Sequence, residues 1–140
     1  MMYKFNDIEK CVYLSGFELR NSTGSHHVYL HKLSGITVTV PKHPSGVSVG
    51  VGEKVIRTCV LCARISNVNI GKEKLPKDIH DIIISHHKRC KENLLFIIPE
   101  EYRVVNKIEN VEDVNKYLKY IKQNYALNNR TNQNNRELAM

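Results

Sequence analysis

The spacing of apolar residues changes along the chain, and each change predicts an element. Ile8, Cys11 and Val12 recur at i, i+3 and i+4, which is one face of a helix. Asp7 stands before them as a candidate cap, and Ser15-Gly16 supplies the stop, because glycine accepts a left-handed conformation at low cost. Phe17-Glu18-Leu19 alternates as a short strand would, and Asn21 to Ser25 is a cluster of turn residues. Residues His26 to Leu30 and Ile36 to Val40 read as two further strands, joined by a loop that holds Ser34-Gly35. In the last of them Ile36, Val38 and Val40 point one way and Thr37 and Thr39 the other, and Pro41 closes it. A loop of small residues follows. A second helix then runs from about Gly50 to Ile65, with Val51, Val55, Cys59, Cys62 and Ala63 on one stripe. The predicted class is α+β. Residues 1–68 form an αβββα domain, a three-stranded antiparallel sheet with two helices on one face.

Residues 69–127 predict a small α/β extension. Pro76 suits a helix start, and Ile79, Ile82, Ile83, His86 and Cys90 form a helical stripe. Leu94 to Ile98 is a short apolar run ended by Pro99 and reads as a buried strand, with Tyr102 to Lys107 as another. Asn110 is a cap for a last helix that turns Val111, Val114, Leu118 and Ile121 inward. Residues 128–140 are polar and rich in Asn, which predicts a disordered tail.

Composition is that of a globular protein, 41% hydrophobic and 25% charged. The net charge of +7 suits an anionic partner such as nucleic acid. The first ten residues hold no apolar signal core, and no run approaches the roughly 18 apolar residues of a membrane span. The expectation is a cytoplasmic protein with no membrane partner, in which Cys11, Cys59, Cys62 and Cys90 are reduced thiols on apolar faces.

Three segments, in order and at matching spacing, resemble the HicA family, the toxin half of HicA–HicB toxin–antitoxin systems. They are Ser15-Gly16-Phe17-Glu18-Leu19, Gly24-Ser25-His26-His27-Val28-Tyr29 with its Gly-Ser-His signature, and Val38-Thr39-Val40-Pro41-Lys42-His43 followed by a small-residue loop and a helix. The resemblance implies a fold similar to double-stranded RNA-binding domains and an endoribonuclease that cleaves mRNA. It also implies a HicB-like antitoxin as partner, and His26 as the active histidine. Leu30 departs from the family, which more often has a basic residue there, and the extension after residue 68 departs from its usual length.

The chemistry is compatible with that reading. RNA carries its own nucleophile, the 2′-OH, so no cofactor or metal is expected. Histidine transfers protons near neutral pH. Gly24 allows close approach of a backbone, and Ser25 offers a hydroxyl to a phosphate oxygen. Lys42 and His43 leave the neighbouring strand where they can meet phosphate, with His43 as a candidate second acid–base partner, and Lys54 and Arg57 add charge on the second helix. His27 and Tyr29 share a face with His31 and read as solvated or RNA-contacting, Tyr29 by stacking on a base or by simple packing. His26 shares parity with Val28 and Leu30, so a role as cap of an apolar face stays open. A zinc reading of Cys59-x-x-Cys62 with His86, His87 and Cys90 is disfavoured, because these positions fall on apolar helical stripes. Two other functions stay open: a non-catalytic RNA-binding module, and an interaction or decoy protein on a recruited HicA-like fold.

Overall fold

In the computed structural model, which describes residues 2–124, the first helix begins earlier than its cap signal. Strand β1 is Met2–Tyr3, and α1 covers Phe5–Leu14 with Lys4 as N-cap. Asp7 lies in the first turn instead of capping it. Phe5 explains the extra residues, since it is buried on the same stripe as Ile8 and Val12. At the other end Gly16 takes φ +97°. Its N–H donates to Tyr13 O and that of Phe17 to Val12 O, the paired bonds of a glycine-closed helix.

Strands β2 (Glu18–Thr23), β3 (His26–His31) and β4 (Ile36–Pro41) form an antiparallel sheet in that order. The expected turn cluster Asn21 to Ser25 is mostly strand. Only Gly24-Ser25 turns, with Thr23 opposite His26 and Gly24 at φ +57°. Every residue of β2 is exposed, so no hydrophobic alternation marks its length. Backbone bonds to β3 define it, across a bulge between Leu19 and Asn21.

Strand β3 corrects the expected parity. Tyr29 and His31 are fully buried beneath the helices, and His27 is half-buried on the same side. His26 is exposed on the other face, with Val28 and Leu30. Register gives the reason. Directly opposed residues share a face, and His27, Tyr29 and His31 oppose Val40, Val38 and Ile36, all of them core residues. Two polar tips are satisfied inside: the Tyr29 hydroxyl donates to the Glu9 carboxylate, and the His31 ring bonds Ser34 Oγ at 2.7 Å and Ser66 Oγ at 2.6 Å.

A short strand β5 (Val47–Ser48) pairs with β1 and leads into α2 (Val49–Ile65). Two glycines admit Tyr3 there. A Cβ on Gly46 would lie 2.6 Å from Tyr3 O, and one on Gly52 only 2.4 Å from the Tyr3 ring. Gly52→Ala is expected to lower stability by about 1–3 kcal/mol through overpacking. Thermal melts should show this loss, whereas Gly50→Ala, with open space at its Cβ, should not cost stability.

Helix α2 is buried from Thr58 through Ala63 without a break, so it is covered on more than one side. Cys59 and Cys62 face α1 and the β3–β4 loop, beside Cys11 and Ser34 respectively. Val60 and Ala63 line a cavity together with His87, Cys90, Leu94 and Ile97 of the extension. Asn67, at φ +60°, closes the helix, with Val68 N–H donating to Ala63 O. One apolar cluster runs from Tyr3 through α2 to Ile121.

The extension folds as helices and 3-10 turns where two strands were expected. Helix α3 is Lys77–Glu92, as its stripe implied. Leu94–Ile97 forms a 3-10 turn, and α4 (Glu100–Val105) occupies the second expected strand. Asn93 accepts from Leu95 N–H, and Pro99 stands at the N-cap of α4 with Glu100 and Glu101 in its first turn. These helix-start signals outweigh a short apolar run. A last helix, α5, covers residues 111–124, and Asn110 caps it by accepting from Asp113 N–H at 2.9 Å. Val114, Leu118 and Ile121 face inward, while Val111 is exposed. The tail expectation for residues 128–140 lies outside the described residues.

Candidate functional site

The β2–β3 turn and the exit of β4 lie side by side. His26 opposes Pro41, and Lys42 N–H donates to Ser25 O at 2.5 Å, so pairing continues one step past the strand end. Lys42 and His43 therefore leave the sheet beside Gly24, Ser25 and His26. His26, Lys42 and His43 are exposed, and Ser25 is half-buried. The Lys42 ammonium sits 5.4 Å from the centroid of the Phe5 ring, and His27 packs edge-on to the same ring at 5.1 Å. Phe5 is thus a shared floor that fixes Lys42 on one side and His27 on the other. His27 Nδ1 is buried with no hydrogen-bond partner among the described residues.

Pairing of β1 with β5 brings the N-terminus to this edge. A cavity of about 540 Å³ lies between residues 2–6 and residues 42–46. Lys4 and Asn6 line it together with Lys42 and His43. The N-terminus of α1 starts here without a side-chain cap, so its positive dipole end adds to the two lysines. Neither Lys4 nor Lys42 takes part in an ion pair among the described residues. The sheet edge thus carries an exposed imidazole at the β2–β3 turn and a cationic hollow where β4 ends, the one able to gain or lose a proton and the other to hold a phosphate.

The remaining expected site residues are elsewhere. Tyr29 is fully buried, its hydroxyl bonded to Glu9, so its ring is packing and has no face free for a base; burial raises its pKa. Lys54 and Arg57 lie along α2 next to the extension, Lys54 at 2.9 Å from Glu101 and Arg57 at 3.7 Å from Glu53. Lys4 and Asn6 were missed because they are far from Lys42 in sequence. No local pattern announces the two-residue strand that joins them.

The buried histidines are structural. His31 is pushed down to about 4 by burial. His86 is held at about 4 by burial and by the nearby charges of Arg57, His87 and Arg89. Both are neutral in the folded protein at pH 7, and unfolding frees them to bind protons below the usual pKa of about 6.5. Stability should therefore be fully present above pH 6.5 and fall as the pH drops from 6.5 to about 4. Urea melts across that window should show the loss, on the order of 1–2 kcal/mol per histidine after solvent screening. His31→Asn should flatten part of the slope.

The four cysteines are buried free thiols, and burial raises the pKa of Cys59, Cys62 and Cys90. Cys90 lies 3.6 Å from His86 Nε2, while Cys59 and Cys62 sit in the core beside Cys11 and Ser34. No helix among the described residues is long and apolar enough to cross a membrane.

Comparison with protein families matches residues 5–52 to the model described as the HicA toxin of bacterial toxin–antitoxin systems. No curated protein and no solved structure matches the chain significantly. The matched segment starts at Phe5, spans the sheet and the His26 turn, and ends inside α2. The antiparallel sheet and its turn lie within the segment, residues 5–52, that is similar to the HicA toxin family.

Proposed function

We propose that the chain is a metal-independent endoribonuclease that cleaves mRNA, with His26 as its acid–base group. The observation that carries this reading is the exposed His26 of the β2–β3 turn, beside which Lys42 and His43 leave the sheet, Lys42 N–H donating to Ser25 O. His26 takes the proton of a ribose 2′-OH. The freed oxygen attacks the adjacent phosphorus, forming the O2′–P bond as the P–O5′ bond breaks. The departing 5′ oxygen takes a proton from His43 or from water. Lys42, Lys4 and the uncapped amides of α1 hold the phosphate oxygens, where charge builds up. Gly24, with open space around its Cα, lets the RNA backbone lie against the turn, and Ser25 donates to a phosphate oxygen. His27 positions Lys42 through Phe5. A HicB-like antitoxin would act by covering this edge in the cytoplasm.

The test is incubation of the purified protein with a structured mRNA fragment in EDTA, with the folded His26→Ala protein beside it. Cleavage by the wild type, leaving 2′,3′-cyclic phosphate ends, is expected. Cleavage that requires added metal, or RNA binding without cleavage, would replace this reading with the metal-dependent or the non-catalytic one.

A further inference from the structure

A second cationic hollow lies away from His26, where the extension meets α2. Its volume is about 800 Å³. Lys54 and Arg57 enter it from α2, Arg89 from α3 and Arg103 from α4. Phe96 organises two of these. The Arg89 guanidinium lies 4.1 Å from the ring centroid and that of Arg103 lies 5.9 Å from it. One ring thus holds two like charges close together, at a cost in repulsion that a cation–π contact of about 0.5–2 kcal/mol each only partly offsets.

Carboxylates do not balance this charge. Glu101 pairs with Lys54 at 2.9 Å, and Glu53 approaches Arg57 at 3.7 Å. Glu100 also lines the hollow but forms no ion pair among the described residues. Arg89 and Arg103 have no carboxylate partner among the described residues, and Arg103 Nε is buried without an acceptor. His86, on the wall, senses the field: after burial, the charge of Arg57 and Arg89 helps keep it neutral. Unpaired guanidinium groups converging on one hollow call for an anion with several acceptor oxygens. Phosphate matches their planar fork, and this is a common use of arginine.

The hollow is larger than a lone phosphate needs and falls in the range of nucleotide-sized ligands. Ile98, Pro99 and Val104 give it an apolar wall against which a sugar or base can rest. We propose that the junction of α2 with the extension is a nucleotide-phosphate site formed by Arg57, Arg89 and Arg103. Its phosphate comes either from a free nucleotide or from the backbone of an RNA chain. The site needs both parts of the chain and is independent of cleavage at His26. It gives the extension a function in ligand binding.

The test is calorimetric titration of the full chain at low salt with pyrophosphate, with ADP, and with a short 2′-O-methyl RNA that cannot be cleaved. Pyrophosphate and ADP should bind, and Arg89→Gln and Arg103→Gln should each weaken them about tenfold. Both variants disturb the stacking on Phe96, so their melts are compared with wild type, and Lys54→Gln, on an exposed side chain, serves as a milder third. It should weaken binding less. Competition of the RNA with ADP, lost in the arginine variants, assigns the backbone as the source. ADP binding without RNA competition assigns a free nucleotide. His26→Ala should keep pyrophosphate binding even where it loses cleavage, so the two readings fail separately. The proposal is overturned if none of the three probes binds, or if folded Arg89→Gln and Arg103→Gln proteins bind them as tightly as wild type.

Discussion

Removal of residues 69–140 is expected to leave a chain that does not fold cooperatively, although the HicA toxin-family match ends at residue 52. The reason lies in α2. Its Cys59 and Cys62 lie beside Cys11 of α1 and Ser34 of the β3–β4 loop, while Ile56, Val60 and Ala63, at i, i+4 and i+7, form a second buried stripe. Helix α3 and the Leu94–Ile97 turn pack against α2, and the buried Cys90 and Ile97 line a cavity together with Val60 and Ala63. Exposing an Ile or a Val costs about 1.5–3 kcal/mol each. The loss at α2 alone is thus several kcal/mol, against a total stability of about 5–15 kcal/mol. The partly buried Val68 and the buried Ile70 contribute in the same direction. Circular-dichroism melts of a chain ending at residue 68 should show a broad, shallow transition and binding of a hydrophobic dye. A sharp melt near the full-length temperature would mean that the extension only decorates a self-sufficient domain.

His26→Ala is expected to lower RNA cleavage by about 10²–10⁴-fold, the usual contribution of a positioned acid–base group. It should leave stability within about 0.5 kcal/mol, because the side chain is exposed and makes no hydrogen bond among the described residues. His31→Ala should do the reverse. It removes a fully buried ring and both of its serine bonds, and should cost about 2–4 kcal/mol. The folded fraction of that variant should still cleave RNA. Cleavage rates normalised to folded protein, with melting curves for both variants, separate the two histidines. Equal activity in folded His26→Ala and wild type would remove His26 from the mechanism.

The two histidines also show what could be read in advance. The resemblance singled out His26, yet the alternation of β3 by itself put His26, Val28 and Leu30 on the apolar side. The neighbouring strand held the corrective signal. Ile36, Val38 and Val40 must face the core, and a hairpin that pairs His31 with Ile36 places Tyr29 and His27 on that same face. A strand with two histidines and a tyrosine on its inner face looks polar until their partners are known. Glu9, Ser34 and Ser66, which satisfy them, come from α1, a loop and the end of α2. Similarly, the apolar run Cys59-Val60-Leu61-Cys62-Ala63 in α2 is what a helix covered on two sides requires.

By itself the sequence determined the elements whose signals are local: α1 with its Gly16 stop, the β3 and β4 hairpin, α2, α3 with its Ile79 and Ile83 stripe, and the Asn110 cap. Each rests on a period or a cap within a few neighbouring residues. Tertiary structure decided the rest. Strand β2 exists because β3 offers it backbone partners, and Lys4 reaches Lys42 because β1 pairs with β5. Lys54 and Arg57 turn away from His26 because α2 carries them to α3 and α4. In each case the deciding contact joins residues far apart in the chain. Periodicity reports which face of an element is buried, and only packing reports what that face meets.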